Sequence, residues 1–193
     1  MTNTVKGIVK QRQDPLRERY RTAPEEALIT DSARTVMGIS EDPFHSTVVP
    51  GEGYDASWRV GIHRVIGGYH DLPNPGDILC AALASCLHST LRLIADRLEI
   101  PIVSLEISTR AEVDARGSLI VDRNVPVGFQ QIKCRVRLEP AANVPPEKVK
   151  MLQAAAEHSC IVLQTLRNGV SVQTQFDELQ STADPSVRLR DCA

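Results

Sequence analysis

The sequence predicts an α+β domain in which two long helices pack against an antiparallel-rich sheet. Three observations predict it. Two segments are apolar at helical spacing, ILCAALASCLHSTLRLIADRLEI and PEKVKMLQAAAEHSCIVLQTLRNGV. Between and after them run stretches of strict apolar–polar alternation. Turn and capping residues stand at the junctions, giving the order strands, helix, strands, helix, strand.

Residues 1–50 read as an N-terminal extension wrapping the domain, residues 51–178 as the domain itself, and residues 179–193 as a loose tail. The extension mixes charges, prolines and few apolar side chains, with room for a short surface helix beginning near Pro24. From Ser46 to Val65 the pattern becomes strand-like around a Gly-rich turn, and GGYHDLPNPGD follows as a loop.

Asn74-Pro75-Gly76-Asp77 is a helix start. Asn74 suits the N-cap, Pro75 the first helical position, and Asp77 stands where it completes a capping box. The helix is expected to run to about Glu99, stopped before Pro101. At 100° per residue Leu79, Ala82, Leu83, Cys86, Thr90, Leu93 and Ile94 share a face, which places Cys86 on the buried stripe.

Strict alternation follows, with Leu105, Ile107, Thr109, Ala111 and Val113 on one face. Asp114-Ala-Arg-Gly117 reads as a hairpin turn into a short strand, SLIVD. In the next strand Ile132, Cys134, Val136 and Leu138 face inward while Lys133, Arg135 and Arg137 face water. One buried and one wet face imply antiparallel pairing covered on one side. The second helix should begin near Pro146-Glu147 and end at Asn168-Gly169, with Leu152, Ala156, Cys160 and Leu163 on one face. VSVQTQF reads as a last strand.

Bulk properties exclude several classes of function. The net charge is −2 with signs interleaved, which offers no electrostatic footprint for nucleic acid or an anionic membrane. No N-terminal apolar run has signal-peptide length, and no segment is read as reaching transmembrane length. Five irregularly spaced cysteines fit free thiols in a reducing, cytoplasmic setting. Cys80, Cys86, Cys160, His88 and His158 could supply metal ligands, but their spacings match no common zinc pattern, and no metal or cofactor is expected. A Cys–His hydrolase built on Cys86 with His88 or His158 is disfavoured because His88, two residues along, points to another helix face. Glu157, one turn before Cys160, reads as a solvated helix-face residue more than as a tuner of that thiol. Cys80 and Cys134 read as packing residues, and Cys192 lies in the tail.

The stretch from PNPGDILCAALASCLHST through DARG and GFQQIKCRVRL to AAEHSCIVLQTLRNGVSVQTQF resembles the OsmC/Ohr family of osmotically induced and organic hydroperoxide resistance proteins. It spans roughly residues 55 to 177. The resemblance implies an intertwined homodimer with its long helices packed centrally. It makes Cys86 the peroxidatic and Cys160 the resolving cysteine of a thiol peroxidase, with Arg64 as the cation beside the thiolate. It further implies an organic hydroperoxide as substrate and an external dithiol, of lipoyl type, as reductant. The chain departs from the family pattern at two places: Gly76 stands where a glutamate that holds the arginine is usual, and Ile161 where a proline follows the second cysteine. The alternative is an OsmC-like small-molecule binder without enzymatic activity.

The chemistry explains why these residue types belong together. Peroxide cleavage needs a thiolate, and a free thiol with a pKa of about 8.5 is mostly protonated at neutral pH. An apolar surround disfavours the charged form, so a compensating guanidinium is needed. The sulfenic acid left by peroxide attack condenses with a neighbouring thiol to a disulfide, which a dithiol resets.

Overall fold

The computed structural model describes residues 7–36 and 42–177. Helix α1, Ile8–Thr22, comes first; it precedes Pro24, where the sequence led us to expect the surface helix and where only a short 3-10 turn forms, Pro24–Ala27. No residue of α1 is buried. It is tied to the rest of the chain by polar contacts, Arg97 Nη2 donating to Asp14 Oδ1 at 2.6 Å and Val9 N–H to Asp96 Oδ2 at 3.0 Å.

Strands β1 (Ala33–Val36), β2 (His45–Pro50) and β3 (Trp58–Gly61) form an antiparallel sheet in that order. The register pairs Val36 with Thr47 and His45 with Gly61. Helix α2, Pro75–Arg97, starts as its sequence demands: Asn74 Oδ1 accepts from the Gly76 and Asp77 N–H groups, and Asp77 Oδ2 accepts from the Asn74 N–H. Its buried line is Leu83, Leu87, Leu91 and Ala95. That corrects the expected face by part of a turn, leaving Cys86 half-buried and Leu93 exposed. The helix is apolar nearly all round, so its neighbours, and not its own periodicity, decide which stripe is covered.

Strands β4 (Ile102–Glu112) and β5 (Gln131–Pro140) form a separate antiparallel pair, with Leu105 opposite Leu138 and Thr109 opposite Cys134. Their expected inward faces hold except at two positions: Val136 is just over a third exposed, and Val113, beyond the end of β4, is exposed. The SLIVD strand does not form. Asp114 caps a one-turn helix α3, Ala115–Ser118, by accepting from the Arg116 N–H. Leu119, Ile120 and Val121 then stay exposed, and Ile120 takes φ +57°, outside the strand region.

The expected single second helix is two, α4 (Pro146–Ser159) and α5 (Ile161–Asn168), interrupted at Cys160 with ψ 107°. Only this residue leaves the helical region. Its N–H still bonds Ala156 O, and its carbonyl still accepts from the Gln164 N–H. The Glu157 carbonyl, whose i+4 partner is lost at the break, accepts from Gln164 Nε2 at 2.7 Å. Leu152, Ala156, Cys160 and Leu163 are buried together, as their shared face predicts, against the α2 stripe. VSVQTQF joins no ladder among the described residues: Val170, Val172 and Phe176 are 69, 79 and 92% exposed. The expected tail lies outside the described residues.

Helix α2 is 23 residues long and is, by length and composition, apolar enough to cross a bilayer, which corrects the reading that no segment reaches that length. Here it packs against β4, α4 and α5 as the central helix, although only 22% of its most apolar stretch is buried within one chain.

Candidate functional site

Cys86 and Cys160 are 74 residues apart in sequence, and the fold packs Cys86 against the buried cluster that holds Cys160. Cys86 lies on the flank of the α2 stripe that faces α4 and α5. Cys160 is wholly buried at the junction of those two helices. Thr90, one turn after Cys86, donates its hydroxyl to the Cys86 carbonyl at 2.8 Å.

The electrostatics of the pair are set by this packing. Burial, above all, pushes the Cys160 thiol up from its ordinary value, and the neighbouring Cys86 pushes in the same direction. The Leu163 N–H, at the start of α5, and the Thr90 hydroxyl pull it down. Cys160 is therefore a protonated thiol in the resting protein, with donors beside it that favour the thiolate.

Arg64 sits on a 3-10 turn, Arg64–Ile66, whose start is held by Val65 N–H donating to His63 Nδ1 at 3.1 Å. Its side chain is exposed and makes no hydrogen bond or ion pair among the described residues. Gly76 shows why no side chain stands at its position. A Cβ there would lie 2.9 Å from Asn74 Oδ1 and 3.1 Å from Phe129 Cζ, so the cap and an aromatic ring already fill the space.

The remaining candidates fall outside the pair. Glu157 is exposed and pairs with Arg167 at 3.0 Å, as a solvated helix-face residue does. Cys134 accepts from the Thr109 hydroxyl across the β4–β5 ladder at 3.8 Å. Cys80 is half-buried, its thiol pushed up by burial and by the Asp77 carboxylate, against an opposing pull from the Ala111 N–H. It lines a cleft of about 850 Å³ together with Val65, Ala111, Val127 and Phe129, a cleft to which neither Cys86 nor Cys160 contributes. Among the described residues no group of three His, Cys, Asp or Glu side chains is placed to hold a metal ion.

Phe129 and the break at Cys160 were missed from sequence. Nothing local marks Phe129, which comes to α2 from the far end of the β4–β5 connection.

The long helix α2 packed against α4, α5 and antiparallel strands defines an α+β fold, and the comparisons agree. The profile of the family described as OsmC-like protein matches residues 68–175. This chain belongs to that family. An OsmC-like protein from Mycoplasma pneumoniae has a similar solved structure at 13% identity, covering 73% of this chain and 89% of that one, with TM-score 0.57. An organic hydroperoxide resistance protein from Elizabethkingia anophelis is similar at 17% identity, covering 74 and 91%, with TM-score 0.56. The corresponding protein from Legionella pneumophila is similar at 18% identity, covering 73 and 91%, with TM-score 0.53. At these identities the likeness is one of fold. No curated protein matches the sequence.

Proposed function

We propose that this protein is a thiol-dependent peroxidase that reduces organic hydroperoxides, with Cys86 peroxidatic and Cys160 resolving. The observation that carries the reading is the packing of Cys86 against the buried cluster that holds Cys160, built by three helices from distant parts of the chain. Family membership supports a peroxide-related role, since similar structures include proteins named for organic hydroperoxide resistance.

In this scheme the Cys86 thiolate attacks one peroxide oxygen. The O–O bond breaks, the alkoxide leaves and takes up a proton, and Cys86 becomes a sulfenic acid. The Cys160 thiol then attacks the Cys86 sulfur, releasing water and forming a disulfide. An external dithiol, of lipoyl type, restores both thiols by exchange. The apolar walls around the pair favour an organic peroxide over hydrogen peroxide.

The working unit is a homodimer in a reducing, cytoplasmic setting. The support is the uncovered apolar surface of α2 and the unpaired, alternating segment from Val170 to Phe176, both of which need a partner to bury them. Assembly brings Arg64 over the Cys86 thiolate as its compensating cation. A second reading, a small-molecule binder without catalysis, is favoured by the cleft at Cys80. One experiment separates the two: consumption of cumene hydroperoxide with a dithiol reductant by wild type and Cys86→Ser. Fast turnover lost in the variant supports the peroxidase; wild type no faster than the variant ends it. Peptide mapping after one equivalent of peroxide should find Cys86 joined to Cys160, and light scattering should give twice the chain mass.

A further inference from the structure

Arg64 stands on the loop that leaves β3 after Gly61 and enters α2 after Asn74. Hydrogen bonds close this loop across its neck: Gly61 N–H donates to the Pro73 carbonyl at 3.0 Å, and His70 N–H to the Ile62 carbonyl at 3.1 Å. Within it, Gly67 N–H donates to the Arg64 carbonyl at 3.0 Å and Gly68 N–H to the His63 carbonyl at 3.2 Å. Closed in this way the loop moves as a unit. Where it stands depends on what holds its returning leg, residues 69–71.

His45, at the start of β2, holds that leg. Its imidazole lies between two carboxylates, Nδ1 at 3.0 Å from Asp42 Oδ2 and Nε2 at 3.2 and 3.1 Å from Asp71 Oδ1 and Oδ2. An ionised carboxylate only accepts, so both ring nitrogens must donate, and the geometry is that of an imidazolium. Gly61 makes room for it: this residue pairs with His45 across the β2–β3 ladder, and a Cβ there would lie 3.3 Å from Asp71 Oδ1. Asp42 is fixed in turn by accepting from the Phe44 N–H at 2.8 Å. From the loop, the Tyr69 ring stacks on the imidazole with centroids 5.6 Å apart and meets Phe44 edge-on at 5.3 Å. Arg59 on β3 adds a further attraction for the Asp71 carboxylate.

We propose that His45 is the positioning residue of the Arg64 loop, a clasp that fixes the loop on β2 while the imidazole carries both protons and releases it when one leaves. The inference deepens the peroxidase reading and rests on it, because a released loop no longer presents Arg64 to the Cys86 thiolate in the assembled protein. A neutral imidazole has one N–H for two carboxylates. The nitrogen that loses its proton turns a lone pair towards carboxylate oxygen, so one of the two attractions becomes a repulsion. The carboxylates, Asp42 foremost, hold the imidazolium above the ordinary histidine value. The clasp is therefore complete below about pH 6.5 and is lost as pH rises through the raised value.

The test compares wild type with His45→Gln, which keeps a donor but carries no charge, and with Asp71→Asn, which takes the charge from the loop and leaves His45 with Asp42. His63 and His70 also lie on the loop, their rings 4.1 Å apart, so the difference between wild type and variant is what identifies His45. Solvent exchange of the Gly68 and His70 amides, both bonded inside the loop, is followed by NMR from pH 6 to pH 8.5 and expressed as protection factors. The expected result at pH 6 is a loss of protection of about fivefold in both variants, the scale of a partly shielded ion pair, with wild type falling to their level by pH 8.5. Oxidation of Cys86 by one equivalent of cumene hydroperoxide, scored as dimedone-trapped sulfenic acid, should be slowed by a similar factor in both variants at pH 6 and match wild type at pH 8.5. Wild-type protection in both variants at pH 6 would overturn the inference. So would a deficit that stays constant with pH, the pattern of a merely structural role. Loss of protection without slower Cys86 oxidation would overturn the positioning of Arg64. Absence of Cys86 sulfenic acid in wild type refutes the peroxidase reading instead, and the exchange measurement then decides the clasp by itself.

Discussion

Replacing Gly76 by alanine should destabilise this protein, against the usual direction of a Gly→Ala change in a helix. Such a change ordinarily gains up to about 1 kcal/mol, because glycine loses more backbone freedom on folding. Here the added Cβ would lie 2.9 Å from Asn74 Oδ1, the atom that accepts from the Gly76 N–H at 2.8 Å and the Asp77 N–H at 3.2 Å. Asn74 is not free to yield, since Asp77 Oδ2 holds both its N–H and its side-chain amide. Moving it dismantles a capping box, a loss of about 1–2 kcal/mol. The gain at a first-turn position is only part of the interior value, and the 3.1 Å approach to Phe129 Cζ adds to the loss. The net expectation is about 1 kcal/mol destabilising, a fall in Tm of about 2–4 °C for a chain of this size. Urea denaturation at fixed protein concentration measures it. The cycle with Asn74→Ala is the sharper arm: Asn74→Ala alone should cost about 1 kcal/mol, and in that background Gly76→Ala should turn neutral or stabilising, because the clashing oxygen is gone. Wild-type stability or better for Gly76→Ala alone would refute the reasoning. The same two atoms obstruct a glutamate at this position, so Gly76→Glu should be more destabilised still.

Leu152 is wholly buried in the cluster shared by α2, α4 and α5, so Leu152→Ala should cost about 2–5 kcal/mol by urea denaturation, and a loss below about 1 kcal/mol would mean that the cluster collapses readily around the gap. His45 links β2 to the loop before α2, its Nδ1 facing Asp42 Oδ2 at 3.0 Å and its Nε2 facing Asp71 Oδ2 at 3.1 Å, with the Tyr69 ring stacked on it and Arg59 beside Asp71. Asp42, then Asp71, holds the imidazolium above the ordinary histidine value. The His45 contribution to stability is therefore complete below about pH 6.5 and fades as pH rises through the raised value. The two carboxylates are held low, so their share fades only as pH falls through the acid range. The difference in stability between wild type and His45→Gln should accordingly shrink from pH 6 to pH 8.5, and a difference constant over that window would refute the clasp.

Much of the architecture could be read because it is written in short periods. Asn74-Pro75-Gly76-Asp77 sets the start of α2 by capping chemistry confined to four residues. The inward set Leu105, Ile107, Thr109 and Ala111 follows from the two-residue repeat of a strand, and its pairing with Leu138, Val136, Cys134 and Ile132 follows from matching that face. Other features could not be read. An apolar helix offers several equivalent stripes, so the line through Leu87 and Leu91 emerged only once β4, α4 and α5 were in place. The interruption at Cys160 involves one residue with no proline or glycine near it, and its cost is offset by a side chain, Gln164, that only the folded turn presents to Glu157. SLIVD and VSVQTQF carry strand composition but find no ladder partner within the described chain, and composition does not supply one.

The sequence by itself determined where α2 begins, that β4 and β5 alternate one inner face, and that Leu152, Ala156, Cys160 and Leu163 are buried together. Only the tertiary structure decided that Cys86 packs against the cluster holding Cys160 and that Phe129 occupies the space above Gly76. The reason is physical. Secondary structure and capping follow from interactions a few residues apart, whereas two cysteines 74 residues apart join one cluster only when whole helices have found their packing against each other.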